Sequence, residues 1–113
     1  MGHDFERQRS ETAWVLDDLA AKRDLPPVAD FDFFLIPGVR AEPADALIRA
    51  LHAAGYAAVA NEDVGDVTVP VHGVTVSLNA IWAHERPIAE IGLFLGYRPD
   101  GWGFMDATGV NEM

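Results

Sequence analysis

The sequence predicts a single α+β domain in which a leading helix is followed by two β-α-β units. Three observations support this prediction. An N-terminal stretch repeats apolar residues every three or four positions, the segment from Phe31 to Ile36 alternates like a strand, and two later helical stretches are each followed by Gly-Tyr, at Gly55-Tyr56 and Gly96-Tyr97. The 113 residues suit one domain over 1–113, with an ordered core expected at about 5–106.

The first predicted helix covers 5–23. Asp18 precedes Lys22 by four residues, which is the favourable order for an ion pair on a helix. The segment Leu25-Pro26-Pro27 ends the helix, because proline lacks an N–H donor and restricts the residue before it. The residues at helical spacing are Phe5, Thr12, Val15, Leu16 and Leu19.

The first predicted strand runs from Phe31 to Ile36, and its residues alternate between two faces. One face is apolar throughout and belongs in the core. The other is acidic at its start, with Asp30 and Asp32, and apolar at its end, with Phe34 and Ile36. We expect either the N-terminal helix or a second subunit to cover that apolar end. The core face consists of Phe31, Phe33 and Leu35.

The second predicted helix covers 42–54. Pro43 lies in its first turn, where the missing N–H costs nothing. Gly55 stands where a left-handed C-terminal cap is expected, and Tyr56 follows to pack back on the last turn. The buried stripe comprises Leu47, Leu51 and Ala54.

The stretch from Tyr56 to Trp82 predicts β-structure. A strand near 56–60 and a polar turn come first, and Pro70 confines the next strand to an edge or a bulge. His72-Gly73 is a candidate tight hairpin, so the rest is either one bent strand or two. The alternating apolar residues are Val67, Val69 and Val71, then Val74, Val76, Leu78, Ala80 and Trp82.

A third helix is predicted over 86–95, with Pro87 early in it. Arg98 to Gly101 then predicts a turn, and Trp102 to Met105 a short last strand. The tail from Asp106 onward is expected to fray. After the leading helix the order is βαββαβ, which predicts a ferredoxin-like two-layer sandwich with one antiparallel sheet and two helices on one face.

Composition narrows the classes of partner. The chain has 8 basic and 18 acidic residues, a net charge of −10, which disfavours direct binding to nucleic acid or to an anionic membrane. It has no Cys, and no stretch has the length and apolarity of a membrane span or a signal peptide. We therefore expect a cytoplasmic protein whose acidic surface either confers solubility or attracts a basic partner.

The sequence indicates no catalytic, metal-binding or cofactor-binding residues. Its histidines, His3, His52, His72 and His84, form no zinc-ligand spacing. His52 falls in the last turn of the second helix, where a cation suits the helix dipole. We interpret His84-Glu85 as preceding and capping the third helix, and Asp30 and Asp32 as two solvated acids. A non-enzymatic protein is expected.

The best candidate for partner binding is the corner around Trp102. Flanked by Gly101 and Gly103, Trp102 either packs over the end of the core or serves as a partly exposed anchor beside Asp100. We assign partner binding to Asp17, Asp18, Asp100 and Trp102.

Asp100-Gly101-Trp102-Gly103 resembles a motif of the regulator of ribonuclease E activity B family. Gln8-Arg9-Ser10-Glu11-Thr12 in the first helix and Gly55-Tyr56 after the second are also similar, so the likeness runs from about Phe5 to Asp106. The resemblance implies a ferredoxin-like α+β fold. It also implies a cytoplasmic bacterial protein that binds ribonuclease E, lowers its activity on RNA, and has no catalytic residue or cofactor.

Two alternatives stay open. One is a dimeric ferredoxin-like small-molecule binder or small enzyme, since such domains often dimerise through the open sheet face. Its support is the apolar end of the first strand and the region of His72 and His84. The other is a homodimer that uses its open sheet face, where Phe34 and Ile36 lie, for assembly alone.

Overall fold

The computed structural model describes residues 3–106 of the chain. Three helices and a four-stranded antiparallel sheet make up this described part, which confirms the predicted α+β class. In chain order the elements are α1 (Phe5–Lys22), β1 (Val28–Pro37), α2 (Ala44–Ala53), β2 (Val59–Ala60), β3 (Val67–Thr75), α3 (Leu78–Phe94) and β4 (Tyr97–Asp106).

The sheet has the strand order β2-β3-β1-β4, so β1 lies at its centre and β4 at one edge. Phe33 of β1 lies opposite Val69 of β3 on one side and Trp102 of β4 on the other. The predicted core face of β1 is confirmed, because Phe31, Phe33 and Leu35 are almost completely buried. Burial of this face stabilises the fold mainly because it removes apolar surface from water.

All three helices lie on that same face of the sheet. A Cβ atom added at Gly92 of α3 would lie 2.9 Å from a methyl group of Leu35, so α3 packs very close to β1. α1 lies beside α3 and reaches Trp102, which shares the face of Phe33. One of the two predicted covers for Phe34 and Ile36, the N-terminal helix, is therefore wrong. These residues lie half-buried on the opposite face of the sheet.

Local signals at the ends of α1 and α2 agree with the structure. Asp4 caps α1 by accepting a hydrogen bond from the backbone N–H of Arg7 at 3.0 Å. The expected pair of Asp18 and Lys22 forms at 2.9 Å. After α2, the N–H groups of Gly55 and Tyr56 donate to carbonyls of the last turn, with Gly55 at φ +92°, as a Schellman cap requires.

The region between His72 and Trp82 differs from the prediction. There is no hairpin at His72-Gly73, because β3 continues through a bulge to Thr75, where the chain leaves the sheet. Ser77 then caps α3 by accepting from the N–H of Ala80, so 78–82 is helical rather than a strand. The alternation of apolar residues there also satisfies a helical period, and the cap decides between the two.

α3 therefore begins eight residues before the predicted start at 86, and His84 and Glu85 lie inside it instead of capping it. Pro87 is an interior residue of the helix, not an early one. Because Pro87 has no N–H, the carbonyl of Ala83 lacks its usual helical hydrogen bond. Ala83 is exposed, so water can donate to that carbonyl instead.

β4 is also longer than predicted. It runs from Tyr97 to Asp106, and the expected turn from Arg98 to Gly101 is a bulge within the strand. The register against β1 shifts between Phe33 and Leu35, and Gly101 takes the positive φ of +84° that such a bulge favours. The predicted frayed tail begins at Asp106, which the structure places at the end of β4, and residues 107–113 lie outside the described part.

Candidate functional site

A cleft of about 560 Å³ lies between α1 and the bulged part of β4. α1 forms one wall, β4 forms the other, and α3 contributes Glu85. The β4 bulge lies beside Trp102, and its Gly101 also lines the cleft. The lining residues are His3, Asp4, Arg7, Gln8, Glu11, Thr12, Val15, Glu85, Pro99, Gly101 and Trp102.

Glu85 is the most unusual residue of the cleft, because it is an acid with only 5% of its surface exposed. Its two carboxylate oxygens accept hydrogen bonds from α1. The Thr12 hydroxyl donates to Oε1 at 2.6 Å, and the Gln8 amide donates to Oε2 at 3.0 Å. Gln8 and Thr12 are four residues apart, so one face of α1 presents both donors to the same carboxylate.

The hydrogen bonds continue outward from Glu85 on both sides. The indole N–H of Trp102 donates to the Thr12 hydroxyl oxygen at 3.2 Å. The side-chain oxygen of Gln8 lies 2.5 Å from Nε2 of His3. A single polar network therefore joins α1, α3 and β4, and its geometry fixes how the N-terminal helix sits on the domain.

Burial raises the pKa of the Glu85 carboxyl above its ordinary value. The donors Thr12 and Gln8 oppose that shift because they stabilise the ionised form, whereas the negative charge of Glu11 adds to it. Both donors are uncharged, and no salt bridge between residues 3 and 106 involves Glu85. The ionised carboxylate is thus satisfied by hydrogen bonds but has no counter-ion.

The rim of the cleft carries more negative than positive charge. Asp4 and Glu11 are exposed acids, and Arg7 is the basic residue of the lining. Arg7 lies 3.4 Å from Glu11 in an exposed pair, which contributes little stability. With Glu85 at its base, the cleft is arranged to favour a cationic group.

The four residues assigned to partner binding differ in exposure and in whether they line the cleft. Trp102 lines the cleft, but it is half-buried, and its ring packs 5.2 Å from that of Phe31. Asp100 is exposed at the bulge, Asp17 is exposed on α1, and Asp18 is paired with Lys22. These three acids lie outside the cleft lining.

Sequence reasoning missed Glu85, the central residue of this site. In α3, Glu85 lies at helical spacing among the buried residues Ile81, Ile88 and Gly92. An acid in a buried stripe would have indicated this site, but the stripe is visible only if the helix is predicted to begin at Leu78. Trp14 was also missed as an exposed aromatic, although 68% of its surface is accessible on α1. Exposed aromatic residues of this kind are enriched at protein interfaces.

Asp30 forms a second polar cluster, on the β3 bulge. It accepts a hydrogen bond from the N–H of Gly73 at 2.9 Å and lies 3.3 Å from Nδ1 of His72. The Gly73 hydrogen bond and then the contact with His72 lower the pKa of Asp30. The contacts with Gly73 and His72 tie Asp30 to the bulge of β3. No group of three or more metal-ligating side chains occurs in the described range.

The other histidines contact few charged groups. His52 is exposed in the last turn of α2, as predicted. His84 is half-buried, with Nδ1 3.1 Å from the hydroxyl of Tyr56 and its ring edge-on to that tyrosine. This contact ties the C-terminal cap of α2 to α3.

No known family model matches the chain, and no curated protein matches it. Across the described helices, none combines the length and the apolar character needed to cross a bilayer.

Proposed function

We propose that this protein is a non-catalytic regulator that binds another protein through α1 and the cleft beside it. One observation carries the proposal. Gln8 and Thr12 from the first motif of the family resemblance, and Trp102 from the last, meet in one network around the buried Glu85. Residues far apart in the chain thus converge on one accessible cleft, as a shared binding role would require.

The finer fold assignment is part of the proposal. The strand order β2-β3-β1-β4, antiparallel throughout, supports a ferredoxin-like sandwich, with α2 and α3 as its two helices. α1 is then the addition that creates the cleft. Because such folds host many functions, this assignment does not by itself identify the partner.

The resemblance and the charge together favour ribonuclease E, in the bacterial cytoplasm, as the partner. A net charge of −10 suits a basic protein surface, including one that otherwise holds RNA. The exposed Trp14 and the neighbouring acids Asp17 and Glu11 provide an aromatic anchor with negative charge around it. Docking there would lower RNA cleavage without any chemistry on the RNA.

The direct test is the cleavage of an RNA substrate by purified ribonuclease E, with this protein added in increasing amounts. We expect the cleavage rate to fall as the protein approaches stoichiometric amounts. The effect should weaken as salt rises, because electrostatic attraction between exposed charges is screened. Unchanged cleavage together with no binding to ribonuclease E at low salt would refute this function.

Two variants locate the binding surface in that assay. Trp14→Ala removes the exposed aromatic and should weaken binding by roughly tenfold or more if Trp14 is a hot spot. Phe94→Ala is the matched control, because Phe94 is an exposed aromatic, 89% accessible, at the end of α3. Equal effects from the two variants would argue against α1 as the docking helix.

A homodimer is the second candidate, favoured by the half-buried Phe34 and Ile36 on the sheet face that the helices leave open. Sedimentation of the wild-type protein and of Phe34→Asp tests it. A dimer that the substitution dissociates would support assembly through this face, whereas a monomeric wild type would rule it out.

A further inference from the structure

Glu85 combines deep burial with the lack of a counter-ion among the described residues. An ionised carboxylate has about four positions that accept hydrogen bonds. Thr12 and Gln8 occupy two of them, and both are uncharged. A buried charge is compensated well only when an opposite charge accompanies its hydrogen bonds. Because Glu85 lines the cleft, a ligand entering the cleft can supply that charge.

The cleft has the size and the electrostatic character for such a ligand. Its volume of about 560 Å³ lies within the usual range for ligand sites, roughly 300–1,000 Å³. Asp4 and Glu11 place two negative charges at the rim against the one positive charge of Arg7, which pairs with Glu11. The inner surface therefore attracts a cation rather than an anion.

Trp102 supplies an aromatic wall held in a defined position. Its N–H is engaged by Thr12, and its ring is packed against Phe31 and Phe104. A cation near an aromatic face is stabilised by the ring quadrupole, and tryptophan is the best of the aromatic residues for this contact. The wall and the carboxylate are linked through the same Thr12 hydroxyl.

We infer, on the basis of the proposed function, that the cleft receives one arginine side chain from a basic segment of the partner protein. The guanidinium donates hydrogen bonds to Glu85 and lies against Trp102. Guanidinium fits better than the lysine ammonium because it is planar, more weakly hydrated and able to stack on an aromatic ring. A metal ion fits poorly, because the described residues contain no group of three metal-ligating side chains.

The test uses small probes in place of the partner. N-acetyl-arginine amide is titrated into the ¹⁵N-labelled protein, followed by two-dimensional NMR. We expect saturable shifts of the Trp102 indole N–H and of the Thr12 and Glu85 amides. N-acetyl-lysine amide should bind at least several-fold more weakly. N-acetyl-citrulline amide, which has nearly the same shape and no charge, should cause no saturable shift.

Glu85→Gln, which keeps the shape of the side chain, should weaken arginine binding by roughly tenfold or more. Glu62→Gln is the control, because it removes the same charge from an exposed position outside the cleft lining. Glu11→Gln at the rim should weaken binding about twofold, as expected for an exposed charge. This variant and the citrulline comparison keep the test decisive if Glu85→Gln does not fold.

Equal shifts from arginine and citrulline, or arginine binding unchanged in Glu85→Gln, would overturn the inference. Since no partner protein is present in the titration, that failure would leave the ribonuclease assay unaffected. Conversely, arginine-specific shifts without any effect on ribonuclease E would count against the proposed partner, and the arginine site would stand.

Discussion

Glu85 and Asp30 are both carboxylates that accept hydrogen bonds, yet the structure moves their pKa values in opposite directions. Asp30 stays near solvent, and the donors Gly73 and His72 lower its pKa. Glu85 also has two donors, but its burial outweighs them and raises its pKa. Hydrogen-bond donors alone therefore do not lower the pKa of a carboxylate. The outcome depends on how much water the fold has removed.

The two acids also differ in what their surroundings accomplish. Asp30 stabilises a bulge within the sheet, using a backbone N–H and an adjacent side chain. Glu85 joins three separate elements and lines an open cleft. Perturbed buried acids in clefts are candidates for function. Glu85 is therefore a stronger candidate for a functional residue than Asp30.

The largest expected effect comes from removing the hydroxyl that links Glu85 to Trp102. Thr12→Val keeps the shape of the side chain but takes away one donor from Glu85 and the acceptor of the indole N–H. We expect the free energy of unfolding in urea at neutral pH to fall by about 2–3 kcal/mol. Thr75→Val, at an exposed position of β3, should change it by less than about 0.5 kcal/mol. Similar values for the two variants would mean that the network is unimportant for stability.

The second-largest effect is the change of folding stability with pH that arises from Glu85. Its folded pKa lies above the ordinary value of 4.5, so the folded state keeps the proton to higher pH than the unfolded state does. The stability that this group contributes is fully present below the unfolded pKa and is lost as pH rises through the folded pKa. Glu85→Gln should remove that decline.

Urea unfolding of wild type and Glu85→Gln across the acidic to neutral range measures this. The quantity compared is the free energy of unfolding of the variant minus that of the wild type at each pH. We expect this difference to increase as pH rises. A difference that is constant with pH would show that burial does not perturb Glu85.

The smallest effect, of opposite sign, is expected at Asp30. Its folded pKa lies below the ordinary value of 3.8, so its contribution is present above that pH and is lost as pH falls through the folded pKa. Asp30→Asn should flatten the acid limb of the stability curve. Asp45→Asn, at an exposed position of α2, controls for the loss of one negative charge. If stability falls with acid in the same way in Asp30→Asn and Asp45→Asn, the contacts of Asp30 at the bulge do not contribute to the pH dependence.

Local patterns predicted much of the fold, because the forces behind them act within a few residues. The apolar face of β1, the pair of Asp18 and Lys22, and the cap at Gly55 all depend on short-range spacing and backbone geometry. The same reasoning failed between Leu78 and Trp82, where the alternating apolar residues fit both a strand and a helix. It also read the bulge at Gly101 as a turn, since both use glycine at positive φ.

By itself, the sequence determined the α+β class, the net charge of −10 and the buried face of the central strand. The meeting of Thr12, Glu85 and Trp102, in contrast, depends on how distant segments pack in the folded domain. Thr12 and Glu85 are 73 residues apart in the chain, and Thr12 and Trp102 are 90 apart. The physical reason is that desolvation depends on which distant segments pack together, and no local pattern records it. The cleft and the raised pKa of its acid arise only when α1 closes over the sheet.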